Sequence, residues 1–358
     1  MVPLGTAAVR SGCVAGAVIA IACADGSAAR TKLASVSAPP SPIAEAQPSR
    51  PPPRPAEAPS AARLACDVRD ADAMAIPPLS TGPEPSIENL RRWVHTLAGP
   101  ELRGRQAGTS DSSRAARLVA DYFQSIGAST PGERASHCLP FTLSGTREHN
   151  AVAHHLAEGG SACKWLIVGA HYDALGLDGE GRIRPGADDN ATGVAVLLEL
   201  ARLLRVREEH TRANVALVAF GAEEADLAGS RAYVANPTLP LDRVALMINI
   251  DMAGRHPAGA IGFGFQAYGP AIRDTTRRVK RAGARTHVPL IPAELGDRSD
   301  STSFAPHAPT VFFSTMVHPD YHRPTDTPER VDYGQVERAL RLVRELVGTF
   351  DCDGTVPG

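Results

Sequence analysis

The sequence predicts a single globular α/β domain with a mostly parallel central sheet and helices on both faces. Three observations carry this. Near-continuous apolar runs occur at Trp165 to Ala170, Val215 to Phe220, Val244 to Ile250 and Thr310 to Phe313. Long amphipathic segments alternate with them, which is how strands buried on both faces and covered by helices read. No repeat of 20 to 50 residues is visible, so solenoids and propellers drop out.

The chain has 358 residues, with Lys+Arg 37 against Asp+Glu 39 and a formal net charge of -2. That balance predicts neither a nucleic acid nor an acidic membrane surface as partner. Gly 32 and Pro 30 are heavy, and the prolines crowd into the first quarter. Residues 1–22 read as an export signal: Arg10 is followed by the apolar run Gly12 to Ile21, and Ala20-Ile21-Ala22 is a small-x-small cleavage site. Cys23 then predicts a lipid anchor of the bacterial lipoprotein type, periplasmic or on the outer surface, with plain cleavage and secretion as the alternative. Residues 23–85, Pro-, Ala- and Ser-rich, are expected to be a disordered tether, residues 86–352 the folded domain and residues 353–358 a short tail. The run of apolar residues before Cys23 is too short for a transmembrane span.

The domain is expected to open with a helix capped by Ser86, with Ile87, Leu90, Val94 and Leu97 on one face. A second helix from about Ser110 buries Ala115, Leu118, Val119, Tyr122, Phe123 and Ile126 and stops at Gly127. After the apolar runs come the informative residues. The first run ends in His171-Tyr172-Asp173, the second in Gly221-Ala222-Glu223-Glu224, the third in Asp251, and the fourth leads to Tyr321-His322. A fifth group, Asp188-Asp189-Asn190, precedes a helix with Val194, Leu197, Leu198, Ala201 and Leu204 on one stripe. Any one of these acids alone reads as a helix cap or a solvated strand end. Recurring past four strands, they converge where open α/β sheets bind ligands. Carboxylates gathered there repel one another unless a cation is present, and His with Asp/Glu and no thiolate suits Zn²⁺. Of the neighbours Glu223-Glu224, one can be a ligand and the other a free base. The other histidines, His318 among them, read as surface or core.

Rival chemistries lack their motifs. There is no Gly-x-Ser-x-Gly elbow, no His-Glu-x-x-His, no Walker loop and no Cys-x-x-Cys pair. The loose glycine stretch Gly259 to Gly264 reads as backbone flexibility. Once Cys23 is set aside, the neighbouring stretches holding Cys138 and Cys163, and the two ends of the folded region, predict disulfides Cys138–Cys163 and Cys66–Cys352.

With these residues on the page, the chain resembles peptidase family M28, the di-zinc aminopeptidases. The likeness runs through Leu102-Arg103-Gly104-Arg105, Asn150-Ala151-Val152-Ala153, Gly169-Ala170-His171-Tyr172-Asp173, Gly186-Ala187-Asp188-Asp189-Asn190, Phe220-Gly221-Ala222-Glu223-Glu224, Gly229-Ser230, Asn249-Ile250-Asp251-Met252, Tyr321-His322 and Thr325-Asp326-Thr327. The resemblance implies a zinc-dependent exopeptidase fold and two Zn²⁺ per chain. Asp189 would bridge them, His171 and Asp251 completing one site, Glu224 and His322 the other. It further implies Glu223 as general base, Asp173 as the residue orienting His171, Tyr321 as an oxyanion donor, and a cis bond after Asp189. The substrate would be a peptide with a free N-terminus. Ser299-Asp300-Ser301 and His307-Ala308-Pro309 depart from the family pattern, where His follows Ser-Asp and Gly-Ile-Pro is common, and so bear on side-chain preference. A glutaminyl cyclase, a carboxypeptidase for acidic residues and a non-enzymatic receptor-like module are the alternatives. Oligomeric state is not predicted.

Overall fold

The computed structural model describes residues 66–132, 134, 136–206, 211–256 and 262–355. The export signal, Cys23, the first part of the tether and the first half of the glycine stretch lie outside them. The tether's expected end at 85 is corrected. Cys66 is fully buried, Met74, Ile76 and Leu79 pack against the core, and Ser80 exchanges hydrogen bonds with the Asn89 side chain. A segment without regular periodicity can still bury scattered apolar residues, and its patterning gave no sign of this.

In chain order the elements are α1 (Ile87–Leu97), α2 (Ser110–Ser125), β1 (Cys138–Leu143), β2 (Thr146–His155), β3 (Trp165–His171), α3 (Gly193–Val206), β4 (Asn214–Phe220), α4 (Ala228–Ala235), β5 (Val244–Ile250), β6 (Phe263–Tyr268), α5 (Ile272–Thr286), β7 (Leu290–Pro292), α6 (Ser301–Phe304), β8 (Thr310–Ser314) and α7 (Tyr333–Gly348). Ser86 caps α1 by accepting the Asn89 N–H. The buried stripe of α1 is rotated from the expected one, since Trp93 is buried and Ile87 is 41% exposed. Helix α2 begins at Ser110 as expected, with Thr109 as its cap.

The eight strands form one sheet in the order β1-β2-β4-β3-β5-β8-β6-β7. All four apolar runs fall in its central block β4-β3-β5-β8, which is parallel throughout. The sheet is more mixed than expected, because β1–β2, β2–β4 and β6–β8 pair antiparallel. The polar β2 residues Glu148, His149, His154 and His155 hid that strand from an apolar-run reading.

Alternate residues serve two cores, as strand pleat requires. Leu166, Val168, Leu217, Ile248 and Val311 face α1, α2, α3, α5 and α7, while Ile167, Val218, Met247 and Phe220 face Tyr233 of α4 and Phe304 of α6. Helices thus cover both faces, and strand ends are left as the open place for a site.

The disulfides are Cys66–Cys138 and Cys163–Cys352, which corrects the expected Cys138–Cys163 and Cys66–Cys352. Register explains it. Cys138 pairs with Ala151, which is level with Ala219 at the carboxyl end of β4, whereas Trp165, two residues after Cys163, is level with Asn214 at its start. Those levels are roughly 17 Å apart along a strand, so stretches close in sequence lie at opposite ends of the sheet.

Candidate metal centre

Five of the eight candidate side chains stand at or just past the end of a parallel strand. His171 is the last residue of β3, Asp173 follows it, Glu223 and Glu224 follow β4, and Asp251 follows β5. Tyr321 and His322 stand on the loop after β8, and Asp188-Asp189 lie in a distorted turn leading into α3. The structure brings all of these to one place. His171 Nε2 lies 3.3 Å from Asp189 Oδ1 and 3.4 Å from Asp251 Oδ1. His322 Nε2 lies 3.0 Å from Asp189 Oδ2 and 3.4 Å from Glu224 Oε1. Two three-residue donor sets therefore share Asp189, one oxygen facing each, with the atoms of each set within 4.8 Å of one another. The Asp189–Asn190 peptide bond is cis.

Neighbouring groups hold this arrangement. Asp173 Oδ1 lies 3.6 Å from His171 Nδ1, and its two oxygens accept the N–H groups of Glu223 (3.0 Å) and Glu224 (3.2 Å). Glu223 Oε2 is 4.0 Å from His171 Nε2 and is outside both donor sets. Asn190 Oδ1 accepts the Gly193 and Met252 N–H groups while its amide donates to Ile250 O.

Several residues support the cluster in ways the sequence reading did not assign; Ser299 was expected only to bear on side-chain preference. Ser299 donates to Asp251 Oδ2 at 2.7 Å and is itself held by Asn249. Asp326 accepts the N–H groups of Asp188 and Asp189. Buried His318 accepts the Asp320 N–H at Nδ1, and its Nε2 lies 3.3 Å from Asp188 Oδ2. The signal for His318 was its place on the same strand-end loop as His322. Arg105 is fully buried and donates to Tyr172 O (2.5 Å), Leu97 O (3.0 Å), Pro185 O (2.5 Å) and Gly186 O (2.6 Å). It joins the β3 end to the turn before Asp189.

Electrostatics make the cluster a poor resident of a metal-free protein. Burial raises Glu223 well above the ordinary carboxylate range, and Asp251, Asp300 and Asp189 push it further against the pull of His171. Burial alone would depress His171, but Glu223 and Asp251 hold it well above its ordinary value. His322 is lifted to about 9, against the effect of its burial, by Asp189 and Glu224. The residues fit a cation. Glu224 Oε1 and His322 Nε2 are buried and close to partners, yet neither makes a hydrogen bond of acceptable direction. Atoms aimed at a common centre rather than at each other have this geometry, and a His/carboxylate donor set with no sulfur suits Zn²⁺.

A cavity of about 640 Å³ opens over the cluster. Glu223, Glu224, Asp251, Tyr321 and His322 line its floor, and Leu295, Phe312 and Met316 supply apolar wall. The Tyr321 ring stacks on His322 at 3.7 Å between centroids, and burial with the surrounding carboxylates raises its hydroxyl pKa.

Residues 151–347 match the model of peptidase family M28. The chain is 29% identical over 306 residues to the uncharacterized protein YfbL of Escherichia coli (strain K12), covering 75% of this chain and 90% of that one. It is 28% identical over 197 residues to aminopeptidase YwaD of Bacillus subtilis (strain 168), covering 51% of this chain and 40% of that one. Among solved structures, the fold is shared with BSAP, a zinc aminopeptidase from Bacillus subtilis, at a TM-score of 0.62 and 17% identity over 74% of this chain and 95% of that one.

Proposed function

The chain belongs to peptidase family M28 and is a zinc metallopeptidase, and from that premise we propose that it removes residues from the free N-terminus of peptides, with two zinc ions per chain and Glu223 as general base. The observation that supports this most is the sharing of Asp189 between two donor sets. His171, Asp189 and Asp251 would hold one ion, and Asp189, Glu224 and His322 the other.

Zinc, when bound, supplies the Lewis acidity that acidifies a water and polarises the scissile carbonyl. Glu223 takes the proton of the attacking water at its carboxylate and returns it to the leaving amine. Asp173 keeps Glu223 and Glu224 in place through their N–H groups and His171 in orientation. The Tyr321 hydroxyl donates to the carbonyl oxygen as charge builds there.

Preference for an N-terminus rests on charge. Apart from the carboxylates that would be offset by the ions, the cavity lining carries Glu223, Asp226, Glu294 and Asp297 against Arg231 and Arg298, and Arg231 already pairs with Asp226. Such a lining favours a substrate ammonium over a substrate carboxylate.

The test compares neighbours. Glu224→Ala removes a ligand and should lower bound zinc measured by atomic emission. Glu223→Gln should keep about two zinc per chain and lose on the order of 10²–10⁴-fold in kcat with KM little changed. Full activity in Glu223→Gln, or zinc loss confined to it, overturns the assignment. Hydrolysis of amine-blocked peptides as fast as free ones overturns the exopeptidase reading.

A further inference from the structure

The near-zero net charge conceals a segregated one. Helix α5 carries Arg273, Arg277, Arg278, Lys280, Arg281 and Arg285 against the single acid Asp274, a local +5 in a chain of formal net charge -2. Its inner face, with Thr275, Val279, Ala282 and Gly283, is buried in the core. Arg273, Arg277, Lys280 and Arg281 are all exposed and fall at the i, i+4, i+7 and i+8 spacing that makes one helix face. They lie within roughly 12 Å along the axis.

Most of that charge is uncompensated. Arg273, Lys280 and Arg281 enter no ion pair among the described residues, and Arg277 pairs only with Asp274 at 3.0 Å, both being largely exposed. Arg285 is taken up by Glu345 of α7. Among the described residues no aromatic side chain is an exposed large apolar residue, so the face offers nothing on which a base could stack.

We propose that the outer face of α5 is a docking surface for an anionic phospholipid bilayer, held by the row Arg273, Arg277, Lys280 and Arg281. A straight, convex row of arginines and lysine matches a flat sheet of headgroup phosphates. The helix flanks the sheet, whereas the catalytic cavity opens past the strand ends, so docking leaves that cavity free to admit peptides. The surface acts whether or not an acyl chain is attached, and it does not depend on the catalytic reading.

The experiment uses the full chain carrying Cys23→Ser, so that no acyl anchor contributes. Vesicles of phosphatidylcholine with about 30% phosphatidylglycerol, and of phosphatidylcholine alone, are sedimented with the protein at low and high salt. The charged vesicles should retain the protein and the neutral ones should not, with retention lost at high salt. Each basic residue near an anionic surface is worth roughly five-fold in partitioning, so Arg273→Gln, Arg277→Gln, Lys280→Gln and Arg281→Gln together should lower binding by at least 100-fold. Peptide hydrolysis should be unchanged by those four. A control with Arg69, Arg91, Arg182 and Arg212 changed to Gln removes equal charge elsewhere. Equal loss in that control, equal binding to neutral vesicles, or equal displacement by duplex DNA overturns the proposal.

Discussion

Replacing Arg105 by Met should loosen the metal centre from behind. The guanidinium is fully buried, and burial lowers its pKa to about 10 against the upward pull of Asp173, Asp189, Asp326 and Glu224. Keeping it charged at neutral pH therefore costs about 3 kcal/mol, which Met relieves. Against this, Met leaves the carbonyls of Leu97, Tyr172 and Pro185 without their donor, while Gly186 O keeps the Ala191 N–H. At about 2 kcal/mol for each bare buried carbonyl the loss is about 6 kcal/mol, so the net destabilisation is about 3 kcal/mol. Urea unfolding of metal-free protein reads this directly. One freed carbonyl, that of Tyr172, directly follows His171, so zinc affinity, measured by competition with a chelating dye, should weaken as well. Arg105→Lys keeps the charge but not the fork and should fall between. A Met variant with the wild-type urea midpoint and wild-type zinc affinity would refute the reasoning.

Peptide mapping without reductant should return Cys66–Cys138 and Cys163–Cys352 only, and on loop entropy the latter, closing 189 residues of separation, should contribute up to about 5 kcal/mol. Burial lowers the pKa of His154 to about 4, with His137 adding. The unfolded chain therefore takes up a proton between pH 6.5 and 4 that the folded one refuses; stability of metal-free protein should fall across that window as pH falls, and His154→Gln should flatten the slope. A Cβ at Gly229 would overlap Gly221 O and lie 2.6 Å from Asn150 Oδ1. Gly229→Ala should thus destabilise by about 3 kcal/mol and shift the turn bearing Glu223, seen as a lowered melting midpoint with reduced kcat.

The central strands were legible because strands buried on both faces must be apolar throughout, and Val244–Ile250 matches its run residue for residue. The same rule concealed β1, β2, β6 and β7, which are short, polar or at the edge. The eight candidate site residues were legible because each follows a strand end or stands in a quoted motif. Asp326, Ser299 and His318 were not given work, because holding an N–H or steering a carboxylate leaves no mark of spacing. The disulfides failed for a related reason: pairing depends on which end of the sheet a segment reaches, and strand direction was not known for β1.

The Cys163–Cys352 bond has a consequence for survival among other proteases. Every candidate site residue, from His171 to His322, lies inside the covalent ring it closes. The ring is fastened next to the start of β3, remote from the cavity, so the catalytic half of the molecule is topologically a circle. A single backbone cut between Lys164 and Asp351 opens that circle into a line and sheds nothing, since both pieces stay joined through sulfur. Only a second cut, or a reductant, can release a fragment.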